Sequence, residues 1–82
     1  MIRMGKESKL LPGQVIEKAV ALFGPSNMGM EVVEQAECCA RFQGAGGYVF
    51  VQAADIDSGD GSDVTVEGRE WERQIKRFMG EI

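Results

Sequence analysis

Histidine is missing from all 82 positions of this chain. The chain therefore lacks the side chain that most often serves as a general base at neutral pH and as a zinc ligand. No apolar run approaches the length needed to cross a membrane, and the first residues lack the apolar core of a signal peptide. These absences predict a soluble, cytoplasmic protein that has no membrane partner.

Cysteine is scarce, and the two cysteines, Cys38 and Cys39, are adjacent. Because neighbours on a strand point to opposite faces, a disulfide between them would need a distorted turn. The pair is not the framework of a small secreted domain, and there is no CxxC motif. We expect Cys38 to pack on the apolar face of a strand and Cys39 to lie on the other face, where an exposed, activated thiol is the alternative.

Basic residues are outnumbered, with nine Lys and Arg against thirteen Asp and Glu and a net charge of −4. This balance argues against nonspecific nucleic-acid binding, which depends on cationic contacts to phosphates. An apolar fraction of 44% is typical of a folded globular chain. The length predicts a single small domain over residues 1–82.

What the sequence does contain is a strong hairpin signal from Cys38 to Ala54, where two strand-like runs flank GAGG. Glycine tolerates the positive φ of tight turns, so these glycines favour a hairpin turn. A phosphate-binding loop is the less suitable interpretation, because it would need the glycines between a strand and a helix. An even loop centred on positions 45 and 46 pairs Phe42 with Val49 and Ala40 with Val51. One face of the hairpin is then wholly apolar, namely Cys38, Ala40, Phe42, Val49, Val51 and Ala53.

The N-terminal part predicts a strand and a helix. Weak alternation over residues 1–7 indicates a short edge strand. Pro12 suits a first helical turn, and the apolar stripe that follows predicts a helix to about Phe23. Gly24 and Pro25 end it, because glycine fits the C-terminal cap and proline cannot continue the helix.

Two more strands extend the hairpin. Residues 30–35 predict a strand whose buried face is ambiguous, because two valines are adjacent. Residues 63–67 predict the last strand, after a polar loop. An even loop there pairs Val66 with Val51, so the apolar face continues across a third strand.

A C-terminal helix is predicted from Gly68 or Arg69 to the end of the chain. Its apolar residues recur at helical spacing, which gives one continuous stripe: Trp71, Ile75, Phe78, Met79 and Ile82. The predicted order is β-α-β-β-β-β-α, an α+β fold with a curved antiparallel sheet and both helices packed on one face. This order resembles the TATA-binding-protein-like fold class, including its helix-grip relatives, in which a curved sheet packs against a long C-terminal helix. The resemblance covers the whole chain but has no sequence motif, so it implies a fold rather than a function.

The second face of the hairpin is the candidate interaction face, with Arg41, Tyr48, Phe50 and Gln52 at its centre. Aromatic residues beside an arginine are the types enriched at interface hot spots. The alternative is an ordinary solvated outer face, on which Arg41 pairs with Glu67 or stacks on Phe50.

Four carboxylates within nine residues form a candidate calcium loop: Asp55, Asp57, Asp60 and Asp63. The run resembles the start of an EF-hand loop, but its sixth position is Asp60 instead of glycine and its twelfth is Val66 instead of glutamate. The flanks also predict strands where an EF-hand has helices. We favour a solvated turn, keep calcium as the alternative, and predict no other cofactor.

No set of residues for nucleophilic, metal-based or acid–base catalysis emerges, so we expect a noncatalytic protein. The first hypothesis is an interaction domain that self-associates through the exposed sheet face or an edge strand, or that binds another protein. The alternative is a carrier of a small apolar ligand, with a pocket between the C-terminal helix and the sheet lined by Phe42, Val51, Trp71, Ile75 and Phe78. An enzyme ranks third, with Cys39 or the acidic loop as its starting points.

Overall fold

A computed structural model describes residues 1–25, 29–44, 46–56 and 61–82. The elements are β1 (Ile2–Ser8), α1 (Pro12–Phe23), β2 (Glu31–Gln35), β3 (Cys39–Gly44), β4 (Gly47–Asp55), β5 (Ser62–Arg69) and α2 (Glu72–Glu81). The strands form one antiparallel sheet in the order β1-β5-β4-β3-β2, and both helices pack against it. The predicted α+β class and the predicted element order are confirmed.

The hairpin register is also confirmed. Phe42 lies opposite Val49 and Ala40 opposite Val51, and β3 and β4 are joined by a two-residue loop. On the next strand, Val66 lies opposite Val51 as predicted. The N-terminal segment is an edge strand that pairs with β5, so the first and last strands of the chain are neighbours. Alternation with a period of two decides these registers, because a shift of one residue would expose the apolar face.

The core lies between this apolar sheet face and the two helices. Phe23 of α1 connects this helix to the sheet and to the second helix, because its ring centroid lies 5.6 Å from that of Phe42 on β3 and 5.4 Å from that of Phe78 on α2. The fully or almost fully buried apolar side chains are Val15, Ile16, Ala19, Phe23, Met30, Ala40, Phe42, Val49, Val51, Ala53, Val64, Val66, Ile75, Phe78 and Met79. The apolar stripes of both helices therefore meet one face of the sheet, and no helix of the described residues covers the other face.

Strand β1 holds the end of α2 through two side chains. The Lys6 ammonium donates to the Met79 carbonyl (2.9 Å), and the Ser8 hydroxyl donates to the Ile82 carbonyl (2.7 Å). The last carbonyls of a helix have no intrahelical partner and carry a partial negative charge, so a cationic donor is favourable there. These bonds fix α2 over the β1 edge of the sheet.

The predicted start of the C-terminal helix is wrong by several residues. Gly68 and Arg69 belong to β5, where Arg69 lies opposite Tyr48, and α2 begins at Glu72 with Trp71 as its N-terminal cap residue. Within this longer strand the missing Cβ of Gly68 makes room for the Ile75 side chain of α2, with which a Cβ would collide. The chain then reverses at Glu70, which has a positive φ of 77°.

The prediction that Cys38 packs on the apolar face is wrong, since its side chain is exposed. Ala36 and Cys39 form a turn between β2 and β3, with the Ala36 amide donating to the Cys39 carbonyl (2.7 Å). Cys38 lies inside this turn, so strand alternation does not apply to it. The sulfur atoms of Cys38 and Cys39 are bonded to each other, as the turn permits and a regular strand would not.

Candidate functional site

The surface of interest is the outer face, defined as the face of the sheet opposite the helices. Directly paired residues share a face of a sheet. Arg41 lies opposite Phe50, Phe50 opposite Glu67, and Gln52 opposite both Cys39 and Thr65. The four residues of the predicted interaction face, Arg41, Tyr48, Phe50 and Gln52, all lie on this face, at least partly exposed.

One line of residues crosses the outer face from edge to edge, and we call it the central row. Its members occupy the five strands in spatial order: Glu34 on β2, Arg41 on β3, Phe50 on β4, Glu67 on β5 and Arg3 on β1. The charges along it run negative, positive, neutral, negative, positive. The row therefore carries no net charge, has an aromatic ring at its centre and has opposite charges at its two ends.

The centre of the row is held by side-chain contacts. The Arg41 guanidinium lies over the Phe50 ring, 4.7 Å from its centroid, which is the geometry of a cation–π contact. The Tyr48 hydroxyl donates to a carboxylate oxygen of Glu67 at 3.4 Å. Of the two contacts considered for Arg41, the stack on Phe50 is present. These contacts orient the aromatic and charged groups before any partner binds.

The charges of the central row are available to a partner. The only ion pair among the described residues joins Lys76 and Glu72 (3.1 Å), both on α2. The side chains of Arg3, Glu34 and Arg41 are exposed, and that of Glu67 is half-buried. Arg41 contacts the Phe50 ring and Glu67 accepts from Tyr48, but an external charged group would not have to break an ion pair among the described side chains to bind the row.

Sequence reasoning did not place Arg3 and Glu34 on this face. The position of Arg3 depends on the pairing of β1 with β5, which connects the two ends of the chain and leaves no local signal in the sequence. Glu34 needed the bulge in β2, where the register shifts between Val32 and Glu34. The adjacent valines were a sign of that irregularity, because an extra residue interrupts alternation.

The five side chains of the predicted ligand pocket are otherwise engaged. Phe42, Val51, Ile75 and Phe78 are at most 1% exposed and form part of the packed core. Trp71 is half-buried at the end of the β3–β4 hairpin, where a Cβ on Gly44 would lie 3.0 Å from its Cζ2 atom. An open cleft of about 220 Å³ does lie between the helices, lined by Phe78 together with Lys18, Ala21, Leu22 and Glu81.

The acidic loop is described in part. Asp57 and Asp60 lie outside the described residues. Asp55 is paired with Ser62, a buried residue on the helix side of the sheet, whereas Asp63 is paired with Ala54 on the outer side. Asp55 and Asp63 thus lie on opposite faces of the sheet, and the described residues contain no group of three or more potential metal ligands.

The two cysteines lie at the margin of the outer face, where Cys39 is half-buried opposite Gln52 and Cys38 is exposed. Their bond means that neither is a free thiol in this structure. An exposed, activated thiol at Cys39 was the alternative, and in this structure the two cysteines are instead bonded to each other.

A scan against protein-family models, a search of curated proteins and a search of solved structures each found no match to this chain. The resemblance to helix-grip folds stays a prediction. Within the described segments, no helix is both long enough and apolar enough to cross a membrane.

Proposed function

We propose that this chain is a small noncatalytic interaction domain that self-associates through its outer face. The observation that carries the proposal is the central row, in which an arginine-stacked phenylalanine is flanked on each side by charged residues of both signs. Aromatic residues and arginine at the centre of a surface, with a polar surround, are the composition of interface hot spots.

The layered architecture supports the same proposal. Both helices contribute their apolar stripes to one side of the sheet, so the outer face has no covering layer within the described chain. Five strands at about 4.8 Å spacing and six residues at about 3.3 Å rise give a flat area on the order of 500 Å². A stable interface buries about 800 Å² on each partner, so we expect a weak, concentration-dependent dimer.

The sheet edges support self-association less well. Strand β2 has five residues, a register shift and two glutamates, and β1 has charged side chains on both of its faces. Bulges and charges at edge strands are the features that prevent edge-to-edge pairing. Edge pairing therefore remains the second mode of association to be tested.

A small-molecule carrier has less support than an interaction domain. A ligand between α2 and the sheet would have to displace side chains that pack on one another around Phe23. Native mass spectrometry of the purified protein would detect a retained ligand as extra mass, and that mass would favour the carrier.

The test of self-association is sedimentation velocity of the wild-type chain and of Phe50→Glu, from micromolar to near-millimolar concentration. We expect the wild type to dimerise with rising concentration, and Phe50→Glu to stay monomeric because a carboxylate would be desolvated at the centre of the interface.

The matched control for Phe50→Glu is Ala21→Glu, which adds the same charge at an exposed position on α1. We expect Ala21→Glu to associate as the wild type does. Circular dichroism of both variants establishes that they are folded. If folded Phe50→Glu still dimerises, association through the outer face is wrong, and an edge strand is the next candidate.

A further inference from the structure

We infer that the partner on the outer face is a second copy of this chain, related by a two-fold axis that runs parallel to the strands above Phe50 of β4. This inference rests on the proposed function and adds an orientation to it. It follows from the order of charges along the central row and from the symmetry of a dimer, in which each contact occurs twice.

The two-fold axis reverses the order of strands in the second copy while keeping their direction. Phe50 then faces Phe50 of the other copy, at the axis. Arg41, one strand to one side, faces Glu67 of the other copy, one strand to the opposite side. At the two ends of the row, Glu34 faces Arg3 of the other copy. Every charge of the row thus meets an opposite charge.

Other two-fold arrangements lack this complementarity. If the axis ran along the row, across the strands, each residue would face its own counterpart, so that Arg41 would meet Arg41 and Glu67 would meet Glu67. Like charges brought together at an interface are costly and exclude wrong arrangements. An axis at an intermediate angle would cross the two rows and leave only Phe50 in contact with its counterpart.

The favoured orientation is also one in which sheets pack well. Keeping the strand direction gives an aligned sandwich, in which twisted sheets cross at about 30° and lie about 10 Å apart. This crossing angle shifts two facing residues past each other. The shift is about 2.5 Å for residues one strand from the axis and about 5 Å for residues two strands from it. The Arg41 and Glu67 contacts are therefore the better aligned, and they are the ones to test.

The row has an alternative role inside a single chain. Neighbouring strands place Glu34 beside Arg41 and Glu67 beside Arg3, and opposite charges on paired residues stabilise a sheet. That role requires no second copy. Arg41 and Glu67, in contrast, are separated by the whole of β4, so they are not direct neighbours within one chain.

Charge-reversal variants distinguish these roles. In the inferred dimer, Arg41→Glu places two carboxylates together at both symmetric contacts, and Glu67→Arg places two guanidiniums together. We expect each variant alone to dimerise at least tenfold more weakly than the wild type, since like charges oppose association. In an equimolar mixture of the two variants, both contacts become opposite charges again, and a heterodimer should form with near wild-type affinity.

The matched controls are Lys18→Glu and Glu17→Arg, which make the same charge changes at exposed positions of α1. Alone and mixed, they should associate as the wild type does. Sedimentation velocity with one variant fluorescently labelled reads homodimer and heterodimer separately, and circular dichroism confirms that each variant is folded.

The outcomes separate this inference from the function on which it rests. Heterodimer formation by Arg41→Glu with Glu67→Arg supports the orientation. The second outcome is that the wild-type dimer is disrupted by Phe50→Glu but the two charge-reversal variants do not rescue each other. That result overturns the orientation and still supports association through the outer face. A wild type that stays monomeric at near-millimolar concentration overturns both.

Discussion

Replacing Phe23 with alanine removes the ring that joins helix α1 to the sheet and to helix α2. The side chain is fully buried, and its ring contacts those of Phe42 and Phe78. Burying a side chain of this size away from water contributes about 1.5–3 kcal/mol to the free energy of unfolding, and the variant loses this contribution. A residual cavity of about 100 Å³ adds about 2.4 kcal/mol at about 24 cal/mol per Å³, and partial collapse of the cavity reduces the sum to about 4 kcal/mol.

That loss is large for a chain of 82 residues. At about 0.05–0.15 kcal/mol per residue, the whole domain has a free energy of unfolding of about 4–12 kcal/mol. Urea denaturation followed by far-UV circular dichroism measures the difference, with the fluorescence of Trp71 as a second probe.

The control is Leu22→Ala, at the preceding position of the same helix, where the side chain is half-buried against the core. We expect it to cost about 1 kcal/mol because it removes fewer buried atoms. A loss below about 2 kcal/mol for Phe23→Ala would refute the packing described here. It would mean that the space beneath α2 is loosely filled, and the carrier hypothesis would gain support.

Two backbone predictions concern the junction between β5 and α2. Gly47→Ala should lower the free energy of unfolding by at least about 2 kcal/mol, because a Cβ there would overlap the Arg69 carbonyl oxygen and lie 2.9 Å from the Trp71 Nε1 atom. Gly80→Ala, with no atom within 4 Å of the added Cβ, should be neutral or stabilising in the same urea titration, and equal losses for the two variants would contradict the close approach. Glu70→Gly should raise the melting temperature, because it removes about 1–2 kcal/mol of strain at a positive φ of 77° and costs only about 0.4–1 kcal/mol through the freer unfolded chain. A lower melting temperature would contradict it.

The three central strands of the sheet could be predicted from the sequence, because the patterns that decide their registers are local. The pairing of Phe42 with Val49 follows from alternation and from an even glycine-rich loop, and both lie within a few residues. Pro12 similarly begins α1 and Gly24 ends it, although Gly24 is extended there and is needed because a Cβ would overlap the Val20 carbonyl oxygen.

The errors fall where local rules meet long-range contacts. The apolar pattern predicts a start of α2 at Gly68 or Arg69, whereas both residues belong to β5 and the missing Cβ of Gly68 makes room for Ile75. Strand alternation predicts a core position for Cys38, but this residue lies in the turn that begins at Ala36, where alternation does not hold.

The candidate site was predictable only in its centre. Arg41 and Phe50 were found because they share a hairpin, so one register decides both positions. Arg3 and Glu34 depend on the edge strands, one paired across nearly the whole chain length and one shifted by a bulge. The order of charges along the central row, from which the orientation of the dimer is inferred, therefore becomes visible only when all five strands are in place.

A dilution series of two-dimensional ¹H–¹⁵N NMR spectra of the wild-type chain tests the central claim most directly. Association through the outer face predicts concentration-dependent shifts at the amides of the central row, strongest around Arg41, Phe50 and Glu67, with the amides of α1 unchanged. Shifts confined to β1, to β2 or to the helices, or spectra that do not change up to near-millimolar concentration, would contradict it.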